Sequence, residues 1–157
     1  MSQTLSLHRS RQLLKEQGYL TWIVEKPYNI YTHKREDLYH LFDVVAIRRD
    51  VIGVTGIQAC GEDTGEHVRK ILEGYVDRQG KRIPPNPYLA PWLWARNRAF
   101  IWAWRLRGRQ GKRKLWDLQE IEFLLENGQV VHRLTTKKEI ENENEKNLDA
   151  RRKGTCC

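Results

Sequence analysis

The chain has 157 residues, the length of one domain with a real core, and its 28 Lys and Arg against 20 Asp and Glu give a net charge of +8. That balance, with a pI near 9.6, points to a polyanionic partner, nucleic acid first. The three cysteines, Cys60, Cys156 and Cys157, have neither disulfide-framework nor zinc-site spacing, which excludes a stapled secreted scaffold and a zinc module and fits a reducing cytoplasm.

The polar N-terminus, MSQTLSLHRSRQ, lacks the pattern of a signal peptide. Residues 5–17 place Leu5, Leu7, Leu13 and Leu14 on one side of a predicted helix that Gly18 ends. Residues 19–26, YLTWIVEK, are rich in aromatic and β-branched side chains and predict a strand. Residues 27–37 read as a loop with a basic pair, Lys34 and Arg35. Residues 41–47 and 51–60 predict two strands, joined as a hairpin by the turn Arg48-Arg49-Asp50. A helix follows, capped by Asp63 or Thr64, with Val68, Ile71, Leu72 and Tyr75 as its apolar face.

Residues 77–87, with Gly80 and three prolines, read as linker, and residues 88–97 as a short helix. AFIWAWRLR, 99–107, predicts a strand, RGRQGKRK a basic turn, and residues 115–125 a further strand. The turn signal NGQ then leads into VVHRLT, a last strand. Arg96, Arg98 and Arg105 interrupt the longest apolar-leaning stretch, so no membrane span is expected. Residues 1–136 read as one α/β domain with a mixed sheet, and 137–157 as a charged tail, either a solvated helix or disordered.

Two side chains stand out within the hairpin. Asp43 lies among Phe42, Val44 and Val45, where a carboxylate is costly unless it is paired, binds a cation or reaches water at the strand start. Gln58 shares a strand face with Val54, Gly56 and Cys60. Paired strands lie about 5 Å apart. The two oxygen-bearing side chains can therefore converge on one hard cation. A hydrogen bond from Gln58 to a neighbouring loop is the plainer alternative.

The stretches KREDLYHLFDVVAI, GIQAC and EHVRKI, in this order and with this succession of elements, resemble the PD-(D/E)xK nuclease superfamily. Within it they are similar to small Holliday-junction-resolvase-like and phage-borne members. WAWRLRGRQGKRKLWDLQEIEF resembles the basic C-terminal segment of such proteins. The resemblance spans residues 5 to 106. It implies a restriction-endonuclease-like core, a mixed central sheet flanked by helices in α-β-β-β-α-β order. It also implies a metal-dependent DNA endonuclease acting on branched or structured DNA, in a bacterial or phage-infected cytoplasm. The alternative it leaves open is a catalytically weak or inactive DNA-binding protein on the same fold.

Carried over by position, Asp43 matches the metal-binding aspartate, and Gln58 takes the position of the second acid. Both would hold Mg²⁺ or Mn²⁺ with the carbonyl of Ala59. Cys60 stands where the pattern has a lysine, so Lys70, or less readily Arg69, is the expected substitute. Glu16, on the first helix, is a candidate to complete the metal site. Glu36 and Asp37 are rival carboxylates, and His67 is a candidate base or phosphate contact. Lys34, Arg35, Arg69, Arg105, Arg107, Arg109, Lys112, Arg113 and Lys114 are the expected DNA contacts. Trp92, Trp94, Trp102 and Trp104 are expected in the core or at a homodimer contact, with base stacking as a lesser alternative.

Overall fold

The computed structural model describes residues 2–33, 35–61, 63–108, 111 and 115–135. The predicted tail, and the basic residues Lys34, Arg109, Lys112, Arg113 and Lys114, lie outside the described residues.

The chain begins with helix α1 (Ser2–Glu16), followed by strands β1 (Leu20–Ile23), β2 (Val44–Ile47) and β3 (Thr55–Cys60). Helix α2 (Thr64–Glu73), a two-stranded ribbon of β4 (Tyr75–Val76) and β5 (Arg82–Ile83), and helix α3 (Leu89–Trp94) come next. Strands β6 (Arg98–Arg107), β7 (Leu115–Glu126) and β8 (Gln129–Thr135) complete the fold. The six main strands form one sheet in the order β1-β2-β3-β6-β7-β8. Neighbours are antiparallel except β3 and β6, which run parallel, with Cys60 beside Ala103. A parallel pair needs a long crossover, and α2, the ribbon and α3 supply it. The chain is thus an α/β fold with a mixed sheet.

The centre of the sheet is buried on both faces, which is why β3 and β6 read as nearly continuous apolar runs. One face packs Val44, Ala46, Ile57, Phe100 and Trp102 against Leu14 of α1. The other packs Cys60, Ala99, Ile101 and Ala103 against Val68 of α2 and Leu89 of α3. Ser6, Ser10 and Leu14 of α1 are buried on the sheet, and Leu7 and Leu13 pack partly buried against the same core, as the leucine spacing predicted; Leu5, predicted on that side too, is half exposed. Small serines let the helix approach closely, and the Trp104 indole N–H donates to Ser10 Oγ at 2.9 Å.

The third strand begins at Thr55 rather than at residue 51. Ahead of it the Val54 N–H donates to Asn97 Oδ1 at 2.9 Å, and the Arg98 N–H donates to the Val54 carbonyl at 2.9 Å. Those bonds commit the chain to the start of β6 instead of to the hairpin. The predicted linker contains β5. Asp63 caps α2 as expected, accepting from the Glu66 N–H at 3.2 Å.

Gly56 is required by packing. A methyl group there would lie 2.7 Å from the ring of Phe42, which is itself fully buried and neighbours Asp43. Gly56→Ala is therefore expected to destabilise the fold by about 1–3 kcal/mol, the range for overpacking a full core. Chemical denaturation measures it, and an unchanged midpoint would contradict the packing.

Candidate metal centre

Asp43 directly precedes β2 and is pinned to β3 on both sides of Gln58. Its N–H donates to the Ile57 carbonyl at 3.0 Å, and its Oδ2 accepts from the Ala59 N–H at 2.8 Å. On its other side the Val24 and Glu25 N–H groups converge on the Asp43 carbonyl at 2.9 and 3.3 Å. This continuation of β1 brings Glu25 to the site.

Asp37 arrives by a tight reversal. The Leu38 and Phe42 backbones bond to each other, and the Leu41 N–H donates to the Leu38 carbonyl at 3.1 Å. Tyr39 and His40, at the centre of this turn, have φ of 56° and 53°. Two successive left-handed residues define a type I′ turn, which normally takes Asn-Gly. Side chains here cost energy, so the surroundings must impose the geometry. Tyr39 stacks on Tyr88 with ring centroids 5.1 Å apart, and Asn86 Nδ2 donates to the Tyr39 carbonyl at 3.1 Å. The constraint folds the chain so that Asp37 returns to Asp43.

One carboxylate oxygen from each of Glu25, Asp37 and Asp43 lies within 4.8 Å of the others. Oxygens on one cation are at most about 4.2 Å apart for Mg²⁺ and about 5 Å apart for a larger ion, so the carboxylates lie at a spacing that one hard divalent cation would draw slightly closer. The donor set is all oxygen, as hard cations require. Burial pushes the Asp43 carboxyl up to about 7, and the negative charges of Asp37 and then Glu25 add to it, against the Ala59 hydrogen bond that lowers it. Asp37 is also raised, by burial first and then by Glu25. Without a cation the cluster therefore holds protons near neutrality; a cation would relieve the same repulsion.

Gln58 Oε1 is buried and has no hydrogen-bond donor among the described residues. A buried amide oxygen without a donor is costly, and a cation ligand or a bound water would satisfy it. Cys60 is buried beside it. Burial, and then the Asp43 charge, push its thiol up to about 12. It is a neutral side chain at physiological pH, neither a thiolate nucleophile nor a cation.

The structure does not bring the other two expected catalytic groups to Asp43. Glu16 is exposed at the end of α1 and accepts from Gln12 Nε2 at 3.2 Å, because α1 directs Leu14, not Glu16, onto the sheet. Glu25 and Asp37 are the carboxylates within reach instead. Lys70 pairs with Glu66 one helical turn away at 2.7 Å and lies over the Tyr75 ring. Arg69 is exposed on α2. His67 is held below its usual value, by burial first and then by Lys70, which keeps its ring neutral.

Of the expected DNA contacts, Arg35 pairs with Glu25 at 3.2 Å and so belongs to the rim of the carboxylate cluster. Arg107 pairs with Asp117 at 3.3 Å and is exposed. Trp92 and Trp102 pack in the two cores, Trp104 bonds α1, and Trp94 is exposed. Glu25 carried no signal in the sequence: a glutamate at a strand end, followed by a lysine, reads as surface. No helix among the described residues is long and apolar enough to cross a membrane.

These residues define a carboxylate centre suited to a divalent cation, at one end of a mixed α/β sheet. No family model matches the chain, and neither a curated protein nor a solved structure matches it.

Proposed function

We propose that the protein is a metal-dependent DNA endonuclease with a restriction-endonuclease-like core, acting on branched or structured DNA in a bacterial or phage-infected cytoplasm. The observation that carries the reading is the half-buried Asp43 carboxyl, fastened to Ala59 and joined by Glu25 and Asp37 within 4.8 Å. The order α1-β1-β2-β3-α2-β6, with β3 and β6 parallel, supports it, because this is the succession that the PD-(D/E)xK resemblance implies. The net charge of +8 supports a polyanionic substrate.

In this reading Asp43, Glu25, Asp37 and the Gln58 amide oxygen hold Mg²⁺ or Mn²⁺. The ion, when bound, supplies a water of lowered pKa and positive charge beside the phosphate. The Ala59 N–H fixes the Asp43 carboxylate in one orientation. Gln58 contributes no charge, but Glu25 and Asp37 restore the negative charge its position lacks. Metal affinity of about 10⁻⁴ M is therefore expected, the tighter side of the weakest class of oxygen sites.

The neutral, buried Cys60 favours a second reading, a DNA-binding protein on the same fold with little or no turnover. Incubating plasmid, single strands and branched junctions with Mg²⁺ or Mn²⁺, beside an Asp43→Ala control, decides between them. Metal-dependent cleavage lost in the control supports the nuclease. A salt-sensitive gel shift without cleavage under either metal supports the second reading.

A further inference from the structure

The two ends of the sheet's second face are covered unequally. Helices α2 and α3 pack on β3 and β6 there, over Cys60, Ala99, Ile101 and Ala103. The β1–β2 end of the same face is open. Val44 and Ala46 point into the α1 core, so strand alternation turns Val45 and Ile47 to the second face. Their Cα partners on β1 are Trp22 and Leu20, and side chains opposite each other in a strand pair share a face. Leu20 is 74% exposed, Trp22 73% and Ile47 50%. Val24, next in the row after Trp22, packs against the α2 and α3 core. An apolar row this open marks an interaction surface.

The row leads to the carboxylates. Trp22 lies opposite Val45, and the Val24 N–H donates to the Asp43 carbonyl at 2.9 Å. Trp22 and Asp43 are therefore on neighbouring strands, two residues apart in register. With a rise of about 6.6 Å over two residues and a strand spacing of about 4.8 Å, their Cα atoms stand roughly 8 Å apart. The Glu25 N–H converges on the same carbonyl at 3.3 Å. Val24 and Glu25 thus form a β-bulge, which re-aims the Glu25 carboxylate toward Asp37 and Asp43. An exposed indole flanks the candidate metal centre at a distance that one nucleotide spans.

The edge itself disfavours a second copy of the chain as the occupant. Strand β1 has four residues, ends in the bulge and is followed by Pro27, features that block edge-to-edge strand pairing. Charge favours a polyanion. The chain carries +8, and an open pocket of about 480 Å³ at the far end of the row is lined by Leu20, Ile47 and the exposed Arg49.

We infer that Trp22 is a stacking platform for an unpaired base of the nucleic acid, next to the phosphodiester at the metal centre. Stacking on an indole needs a free base face and tolerates any sequence, so this surface selects single-stranded segments and branch points over intact duplex. The inference rests on the nucleic-acid reading above but not on turnover, since a base stacks whether or not the bond is cut.

The test is fluorescence anisotropy of a labelled oligothymidine strand, and of an abasic strand of the same length, with the full chain in Ca²⁺ across a salt series. Cleavage in Mn²⁺ and the sedimentation velocity of each chain are measured in parallel. Trp22→Ala is expected to weaken binding of the thymidine strand by about 10-fold, within the range of one base–aromatic stack. Its salt slope should be unchanged, because no phosphate contact is lost. Trp22→Leu is expected to lose as much, and Trp22→Phe to keep most of the affinity, since only the latter retains a π-face. Wild type and Trp22→Ala are expected to bind the abasic strand equally. Wild-type affinity for the thymidine strand in Trp22→Ala overturns the inference, and where that variant does not fold, wild-type affinity in Trp22→Leu does so. A loss of equal size on the abasic strand also overturns it, as does a wild-type dimer that Trp22→Ala converts to a monomer. Trp22-dependent binding by a chain that never cleaves leaves the inference standing and removes the nuclease reading. Cleavage with binding independent of Trp22 removes the inference alone, and a wild type that binds no DNA removes both.

Discussion

Asp43→Asn is expected to lower Mn²⁺-dependent DNA cleavage by about 10³-fold or more. Loss of several kcal/mol of metal-supplied stabilisation corresponds to that factor. Asparagine is the informative substitution because its Oδ1 can still accept from the Ala59 N–H, which now bonds Asp43 at 2.8 Å. The fold is thereby retained while the charge is removed. Glu25→Gln and Asp37→Asn should cost less, roughly 10- to 100-fold, and should raise the metal concentration needed, since each leaves two of the three carboxylates in place. Glu16→Gln should cleave as wild type, because Glu16 is exposed and bonded to Gln12. Single-turnover cleavage over a Mn²⁺ titration measures all four. Wild-type rates in Asp43→Asn would remove the metal centre from the mechanism.

The second large effect is on stability and its pH dependence. Asp43 titrates at about 7 in the folded chain, against an ordinary value of 3.8. Between those values the folded state binds the extra proton, so the contribution of this group falls as pH rises from about 4 to about 7. A displacement of this size corresponds to about 2–4 kcal/mol, allowing for the coupling with Asp37 and Glu25. In the metal-free protein Asp43→Asn should accordingly be more stable than wild type at pH 8, by several degrees in Tm, with the difference vanishing toward pH 4. A divalent cation held as proposed would bind the ionised cluster and reverse the sign for wild type: the Mn²⁺-induced rise in Tm should grow from pH 5.5 to pH 8 and be absent in Asp43→Asn. Differential scanning calorimetry of both chains with EDTA and with Mn²⁺ gives the four curves needed. A wild type whose stability rises steadily from pH 5 to pH 7 relative to Asp43→Asn would show that the carboxyl is not held in its neutral form.

Much of the fold is readable along the chain because its determinants are local. The Asp63 cap, the break at Gly18, the Asn127-Gly128 turn and the apolar runs of β2, β3 and β6 are each set by neighbours a few residues away. The candidate site divides along the same line. Asp43 and Gln58 stand out because a carboxyl and an amide interrupt apolar strands, and such groups need a partner wherever the strands go. Glu25 does not stand out, since it joins the cluster, partly buried, only when the chain beyond β1 is bonded to the Asp43 carbonyl. Asp37 reads as one of two equivalent acids until the left-handed turn at Tyr39 and His40 selects it over Glu36, which instead pairs with Lys26. Ser6 and Ser10 of α1 are likewise hidden, because small polar side chains give no apolar signal although they lie buried beside the predicted Leu7, Leu13 and Leu14.

Lys70 and Arg105 mark the boundary most sharply. Helical spacing brings Lys70 close to the site in sequence, yet it also places Glu66 exactly one turn away, and the local pair forms. Arg105 is distant in sequence and reaches the Cys60 neighbourhood only through the parallel pairing of β3 with β6. By itself the sequence determined a basic α/β chain, the succession of its elements, and the presence of a carboxyl and an amide in one hairpin, because composition, periodicity and local turn chemistry suffice for these. Only the tertiary structure decided which carboxylates surround Asp43. Those are matters of strand register and long-range backbone hydrogen bonds, and they bring together residues that share no local signal.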